Sequence, residues 1–203
     1  MTPIVRLPPH GPGMRVGLLG GSFNPPHEGH ALVTRLVLAR LRLDRVWWLV
    51  TPGNPLKSQA ELAALQARVA AARRLVCDPR VEVTDIEAHI GARYTYDTLE
   101  WLTRRAPSVR FVWVMGADNL RQFDRWRRWQ GIARLVPIVV VDRPGSTLNA
   151  LSSRAASALT RWRVPENEAA TLADRKPPAF LFLHGRRSEL SSTLLRRAGR
   201  DAV

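Results

Sequence analysis

With one cysteine, Cys77, this chain has no means of closing an intramolecular disulfide or building a multi-cysteine zinc site, and a reducing cytoplasm suits it best. No stretch approaches the roughly eighteen uninterrupted apolar residues of a membrane helix; even the run from Leu135 to Val141 is short and carries Pro137. Residues 1–13 hold Pro3, Pro8, Pro9, Gly11, Pro12 and Gly13 but no apolar core of the kind a signal peptide needs, so they read as a flexible N-terminal tail. Met14 directly precedes the first strand-like run and is an alternative start of translation. Lysine is nearly missing, found at 57 and 176 alone, yet Lys plus Arg total 31 against 17 Asp plus Glu, a net charge of +14. Nucleic acid is the obvious partner for such a charge. The arginines are scattered rather than gathered into one block, however, which fits solvated faces or a small anionic substrate as well. At 203 residues, 45% apolar and 24% charged, the composition is globular rather than disordered.

Short apolar runs alternate with helical spacings. Strand-like runs fall at Val16–Leu19, Val46–Val50, Val81–Thr84, Val109–Met115, Val136–Val141 and Ala179–Leu183. Helices are predicted over Ala31–Leu41, Leu62–Val76, Tyr94–Arg105, Asn119–Trp129, Ala150–Trp162 and from Ser192 to Arg197. This alternation predicts an α/β fold, a Rossmann-like doubly wound parallel sheet with helices on both faces and ligands at the carboxyl ends of its strands. Residues 14–203 are expected to form a single domain, with the Pro- and Gly-containing stretch Asp142–Pro178 a surface excursion between the last two strands.

The first strand runs into Gly20, Gly21, Ser22, Phe23, Asn24, Pro25, Pro26, His27, Glu28, Gly29 and His30, and then a helix. Glycines after a strand let backbone approach a bulky anion, and a helix start offers free N–H groups and a positive dipole end, so this is a phosphate site. The glycine spacing matches neither the dinucleotide fingerprint nor a Walker loop. His27 and His30, three apart, share a helix face. With no third ligand nearby no protein metal site is expected. Histidines in such a place ordinarily cap or pack a helix; the convergence of glycines, prolines and a helix start on the same residues favours a role toward phosphate.

The segment GGSFNPPHEGH resembles the signature of the HxGH nucleotidyltransferase superfamily, and Ser191, Ser192, Thr193, Leu194, Leu195, Arg196 is similar to its C-terminal ISSTxxR motif, with Leu190 in the isoleucine position. Between them, Thr51–Lys57 resembles the NPxK segment of the nicotinate mononucleotide adenylyltransferase family. Tyr94–Leu99 resembles its SYTxDTL segment, with Arg93 where Ser or Pro is usual, and Gly116–Leu120 with Phe123 and Trp126 resembles its GxDxLxxFxxW segment. The likeness spans about Met14 to Arg197 and implies adenylyl transfer from ATP to nicotinate mononucleotide, giving nicotinate adenine dinucleotide and pyrophosphate. It implies that His27, His30, Lys57 and Arg196 act on the phosphates, that Gly20, Gly21, Ser22, Phe23, Asp118, Ser191, Ser192 and Thr193 bind ATP, and that Tyr94, Thr95, Gly116 and Trp126 bind the pyridine nucleotide. Mg²⁺ is expected to arrive on the ATP phosphates, and the protein to be a cytoplasmic monomer or homodimer without membrane or specific nucleic-acid partners. On packing grounds alone Trp126 would be a core ring.

The nucleophile, a phosphate oxygen, is already ionised at neutral pH, so no general base is required. What the protein must supply is in-line positioning and stabilisation of charge on the α-phosphate and the departing pyrophosphate.

Overall fold

A computed structural model describes residues 5–53, 62–142 and 152–185. Six strands form one sheet in the order β3-β2-β1-β4-β5-β6. They are β1 (Arg15–Gly21), β2 (Arg45–Val50), β3 (Val81–Thr84), β4 (Arg110–Gly116), β5 (Ile138–Val141) and β6 (Phe180–Leu183), and every neighbouring pair is parallel. Winding runs outward in both directions from β1 and β4, so the strand order reverses between them; a crevice opens there at the carboxyl ends. Leu18 pairs with Trp47 on one side and Trp113 on the other, which fixes the register at the centre.

Strand side chains alternate between two cores, as a sheet covered on both faces requires. Val16, Leu18, Phe111, Trp113 and Met115 join one buried cluster, and Leu19, Val112 and Val114 the other. Covering these faces are α1 (Glu28–Arg40), α2 (Leu65–Leu75), α3 (Ile86–His89), α4 (Thr95–Arg105), α5 (Ala117–Leu120), α6 (Trp129–Leu135) and α7 (Arg154–Leu159), with 3-10 segments at Phe123–Arg125, Thr160–Trp162 and Glu166–Asp174.

Three departures from the sequence reading have physical causes. The single helix expected over Asn119–Trp129 is broken: Trp126 is extended (φ −75°, ψ 139°) and Arg128 is left-handed (φ 53°). Edge-on packing of the Phe123 ring against those of Trp126 and Trp129, with centroids 5.3 and 5.7 Å away, replaces helix continuity. The stretch expected to be a surface excursion instead helps to cover both faces, since Ala155, Ala156 and Leu159 enter one core while Val164, Ala169, Leu172 and Ala173 enter the other. Small alanines give little hydrophobic periodicity from which to foresee this. Residues Val5 and Leu7 of the segment expected to be loose pack against the first cluster, and the Gly13 N–H donates to the Ser108 carbonyl at 2.8 Å. The expected helix from Ser192 lies outside the described residues.

Candidate active site

At the carboxyl end of β1 the chain passes through Gly20, Gly21 and Ser22 into Phe23, a non-glycine residue held at φ 47°. A bulky side chain in the left-handed region is strained by about 1–2 kcal/mol. Tight ring packing holds it there: Phe23 is 1% exposed, stacked on Trp48 at 4.9 Å and tilted against His30 at 4.7 Å. Gly20 has a reason the sequence did not disclose. A Cβ there would sit 2.5 Å from the Trp113 ring, so the missing side chain makes room for an indole as well as for a ligand.

The two histidines open α1. His27 is its N-cap and is buried; the Gly29 N–H donates to His27 Nδ1 at 3.1 Å, and the His27 N–H donates to His30 Nδ1 at 3.2 Å. The capping role that sequence reasoning set aside is therefore real, and it has a chemical consequence. A nitrogen accepting a backbone N–H carries no proton, so each neutral ring bears its proton on Nε2 and is an N–H donor there. The ring centroids are 3.9 Å apart.

A cavity of about 330 Å³ lies at the switch point between β1 and β4. Of the residues singled out from sequence, Gly20, Gly21, Ser22, Tyr94, Thr95 and Trp126 line it. His27, His30 and Phe23 do not line it but form the packed turn that continues its β1 wall, and Gly116 ends β4 as the buried N-cap of α5. Asp118 is exposed in the first turn of α5, and its neighbour Asn119 lines the cavity instead. Lys57, Ser191, Ser192, Thr193 and Arg196 lie outside the described residues. Trp126 is at once wall and core: it lines the cavity and sits edge-on to Trp113 at 6.2 Å.

The wall is cationic. Arg93, Arg125 and Arg127 contribute to it, the last with its guanidinium 4.7 Å above the Tyr94 ring. Among the described lining residues the carboxyl is that of Glu87, whose Oε1 accepts from Thr98 Oγ1 at 3.0 Å. Burial pushes the Glu87 pKa up, against the smaller opposing pull of the Thr98 and Thr51 hydroxyls. The described residues contain no group of three His, Cys, Asp or Glu side chains placed to hold a metal ion.

The cytidylyltransferase-like family model matches residues 18–198. A relative from Methylorubrum extorquens, named "probable nicotinate-nucleotide adenylyltransferase", is 62% identical over 90% of this chain and 99% of its own length. One of the same name from Agrobacterium fabrum is 57% identical over 90% of this chain and 98% of its own. The chain belongs to the nicotinate-nucleotide adenylyltransferase family. Nicotinic acid mononucleotide adenylyltransferase from Plasmodium falciparum, solved in complex with NaAD, shares the fold at a TM-score of 0.67 and 16% identity, covering 91% of this chain and 83% of that one. The same enzyme in complex with APC gives 0.65.

Sequence reasoning did not place Arg68, Glu87, Trp113 or the arginines of the cavity wall at the site. A signal existed for Arg68, which shares the face of α2 defined by Leu65, Val69 and Ala72, where a charge is out of place. Glu87 sits in the single turn of α3, too short to show any period.

Proposed function

We propose that this cavity holds nicotinate mononucleotide beside ATP, so that a phosphate oxygen of the mononucleotide attacks the ATP α-phosphorus. A new P–O bond forms, the α–β bridge breaks, pyrophosphate departs and nicotinate adenine dinucleotide remains. The observation that carries this reading is the convergence of Gly20–Ser22, Tyr94, Thr95 and Trp126 on one cavity at the strand-order reversal. The Nε2–H groups of His27 and His30 donate to α-phosphate oxygens as charge shifts toward the leaving group, and backbone N–H groups of the β1 turn support the triphosphate. Lys57, Arg196, Ser191, Ser192 and Thr193 are proposed to complete the phosphate grip, and Asp118 to contact the nucleotide sugar. Mg²⁺ enters with the ATP phosphates, as part of the substrate.

Preference for an acid over an amide follows from the wall. Thr95 begins α4 and Tyr94 caps it, so the positive end of that helix meets the cavity together with Arg93, Arg125 and Arg127. A pyridine carboxylate is favoured there, whereas a carboxamide would set an NH₂ donor against donors. Residues 14–203 are proposed to act as one catalytic domain in the cytoplasm, as monomer or homodimer.

The deciding experiment supplies purified protein with MgATP and a panel of phosphorylated acceptors and follows pyrophosphate. Nicotinate mononucleotide should have the highest kcat/KM, above nicotinamide mononucleotide and phosphopantetheine; a higher value for either of those would overturn the reading.

A further inference from the structure

Arg68 is 3% exposed, yet its partners among the described residues include no carboxylate. Its guanidinium donates only to backbone carbonyls: Nε to Ala63 at 2.8 Å, Nη1 to Ser22 at 2.7 Å and to Thr51 at 2.8 Å, and Nη2 to Pro52 at 3.3 Å. Those acceptors come from three places. Ser22 belongs to the turn after β1, Thr51 and Pro52 to the turn after β2, and Ala63 to the approach to α2. The same approach is tied a second time, because the Ala63 N–H donates to Asn24 Oδ1 at 3.3 Å. Ser22 and Thr51 both line the cavity, so the contacts of one buried side chain join two of its walls just beyond the last ladder bond, in which the Thr51 N–H donates to the Gly21 carbonyl at 3.0 Å.

A planar fork is suited to this. Five N–H donors in a fixed plane fix several acceptors relative to one another, which a lysine ammonium on a flexible stem cannot do. Among the described residues carbonyl dipoles alone solvate the charge, behind the turn that follows β1.

We propose that Arg68 is a positioning residue for adenylyl transfer: by bridging the Ser22 carbonyl to those of Thr51 and Pro52, it holds the two nucleotide-facing turns in catalytic register. This rests on the reading of the β1 turn as the triphosphate site. Arg68→Lys keeps the charge and loses the fork. Measured well below its melting temperature, with unchanged far-ultraviolet circular dichroism, it should lose about a hundredfold in kcat/KM, the scale expected when reacting groups are displaced by about an ångström. Arg68→Met, which removes the charge as well, should in addition raise KM for MgATP. A merely structural Arg68 would lower the melting temperature and leave kcat/KM of the folded Lys variant within twofold of wild type; that result overturns the proposal. His30→Ala assayed alongside separates the two ideas. If His30→Ala is unimpaired, the reading of the turn fails, whereas an unimpaired Arg68→Lys beside an impaired His30→Ala removes only the brace. Should neither Arg68 variant fold, amide hydrogen exchange on the wild type decides: the amides of Phe23, Gly53 and Arg68 should open in one cooperative unit, and independent opening of the two turns contradicts the bridge.

Discussion

At His30 two demands meet in one ring. Nδ1 accepts the His27 N–H and so helps to cap α1, while Nε2 keeps the proton and is the donor that the proposed mechanism assigns to a phosphate. Replacing His30 with alanine should lower kcat by roughly 10²–10³, the cost of one transition-state donor, with little change in ATP affinity. Steady-state kinetics check this, and full turnover would leave the ring only its capping role. Trp126 is the complementary case. Its ring packs on Trp113 and Phe123 and also faces the cavity, so Trp126→Ala should raise KM for nicotinate mononucleotide more than KM for ATP. An unchanged value for the mononucleotide would assign the ring to packing alone. The family motifs exposed both residues because their chemistry is written in a few letters. Arg68 escaped notice because its partners are backbone carbonyls, which leave no trace in residue identity.

Between elements, packing decides what propensity leaves open. Gly20→Ala would place a methyl 2.5 Å from a Trp113 ring that is itself only 2% exposed, between strands that cannot separate. Such overpacking costs about 1–3 kcal/mol, so urea unfolding should show a loss of that size; an unchanged midpoint would mean that Trp113 moves freely. Glu87 joins α3 to α4 through Thr98, and its pKa is raised by burial. A carboxyl whose folded pKa lies above its unfolded value near 4.5 binds a proton on folding, so its contribution to stability is complete below that pH and declines as pH rises toward the folded pKa. Unfolding free energies measured from about pH 4.5 upward should fall more steeply for wild type than for Glu87→Gln, which has no proton to lose. Parallel curves would show that Glu87 titrates normally. The strands were readable from sequence because a doubly covered parallel sheet needs continuous apolar runs, as at Val136–Val141. The break at Trp126 was not, since it arises from rings that meet only in three dimensions.

Across the whole molecule, a net charge of +14 remains once every carboxylate is counted, and several of those carboxylates pair with arginines spread over the surface. Asp174 takes both Arg15 and Arg110, Glu166 takes Arg40, and Glu82 takes Arg45. No helix in the described residues is long and apolar enough to cross a membrane. A dispersed excess of this kind, not gathered into one tract, gives salt-sensitive attraction to polyanions. Retention on single-stranded nucleic acid should therefore vanish by about 0.2 M salt while pyrophosphate release from MgATP and nicotinate mononucleotide continues; retention outlasting catalysis would reverse that order of importance. The crevice at the order reversal followed from alternating strands and helices alone, and its cationic wall did not, because Arg93 lies far along the chain from Arg125 and Arg127 and is brought to them only by the fold. The most direct test of the account is a crystal structure with a non-hydrolysable ATP analogue and Mg²⁺. The triphosphate should lie within hydrogen-bonding distance of the Gly20–Ser22 turn and His30 Nε2, with Arg196 closing on it from the other end of the chain. An analogue bound away from that turn, or an Arg196 that shares no cleft with His30, would contradict it.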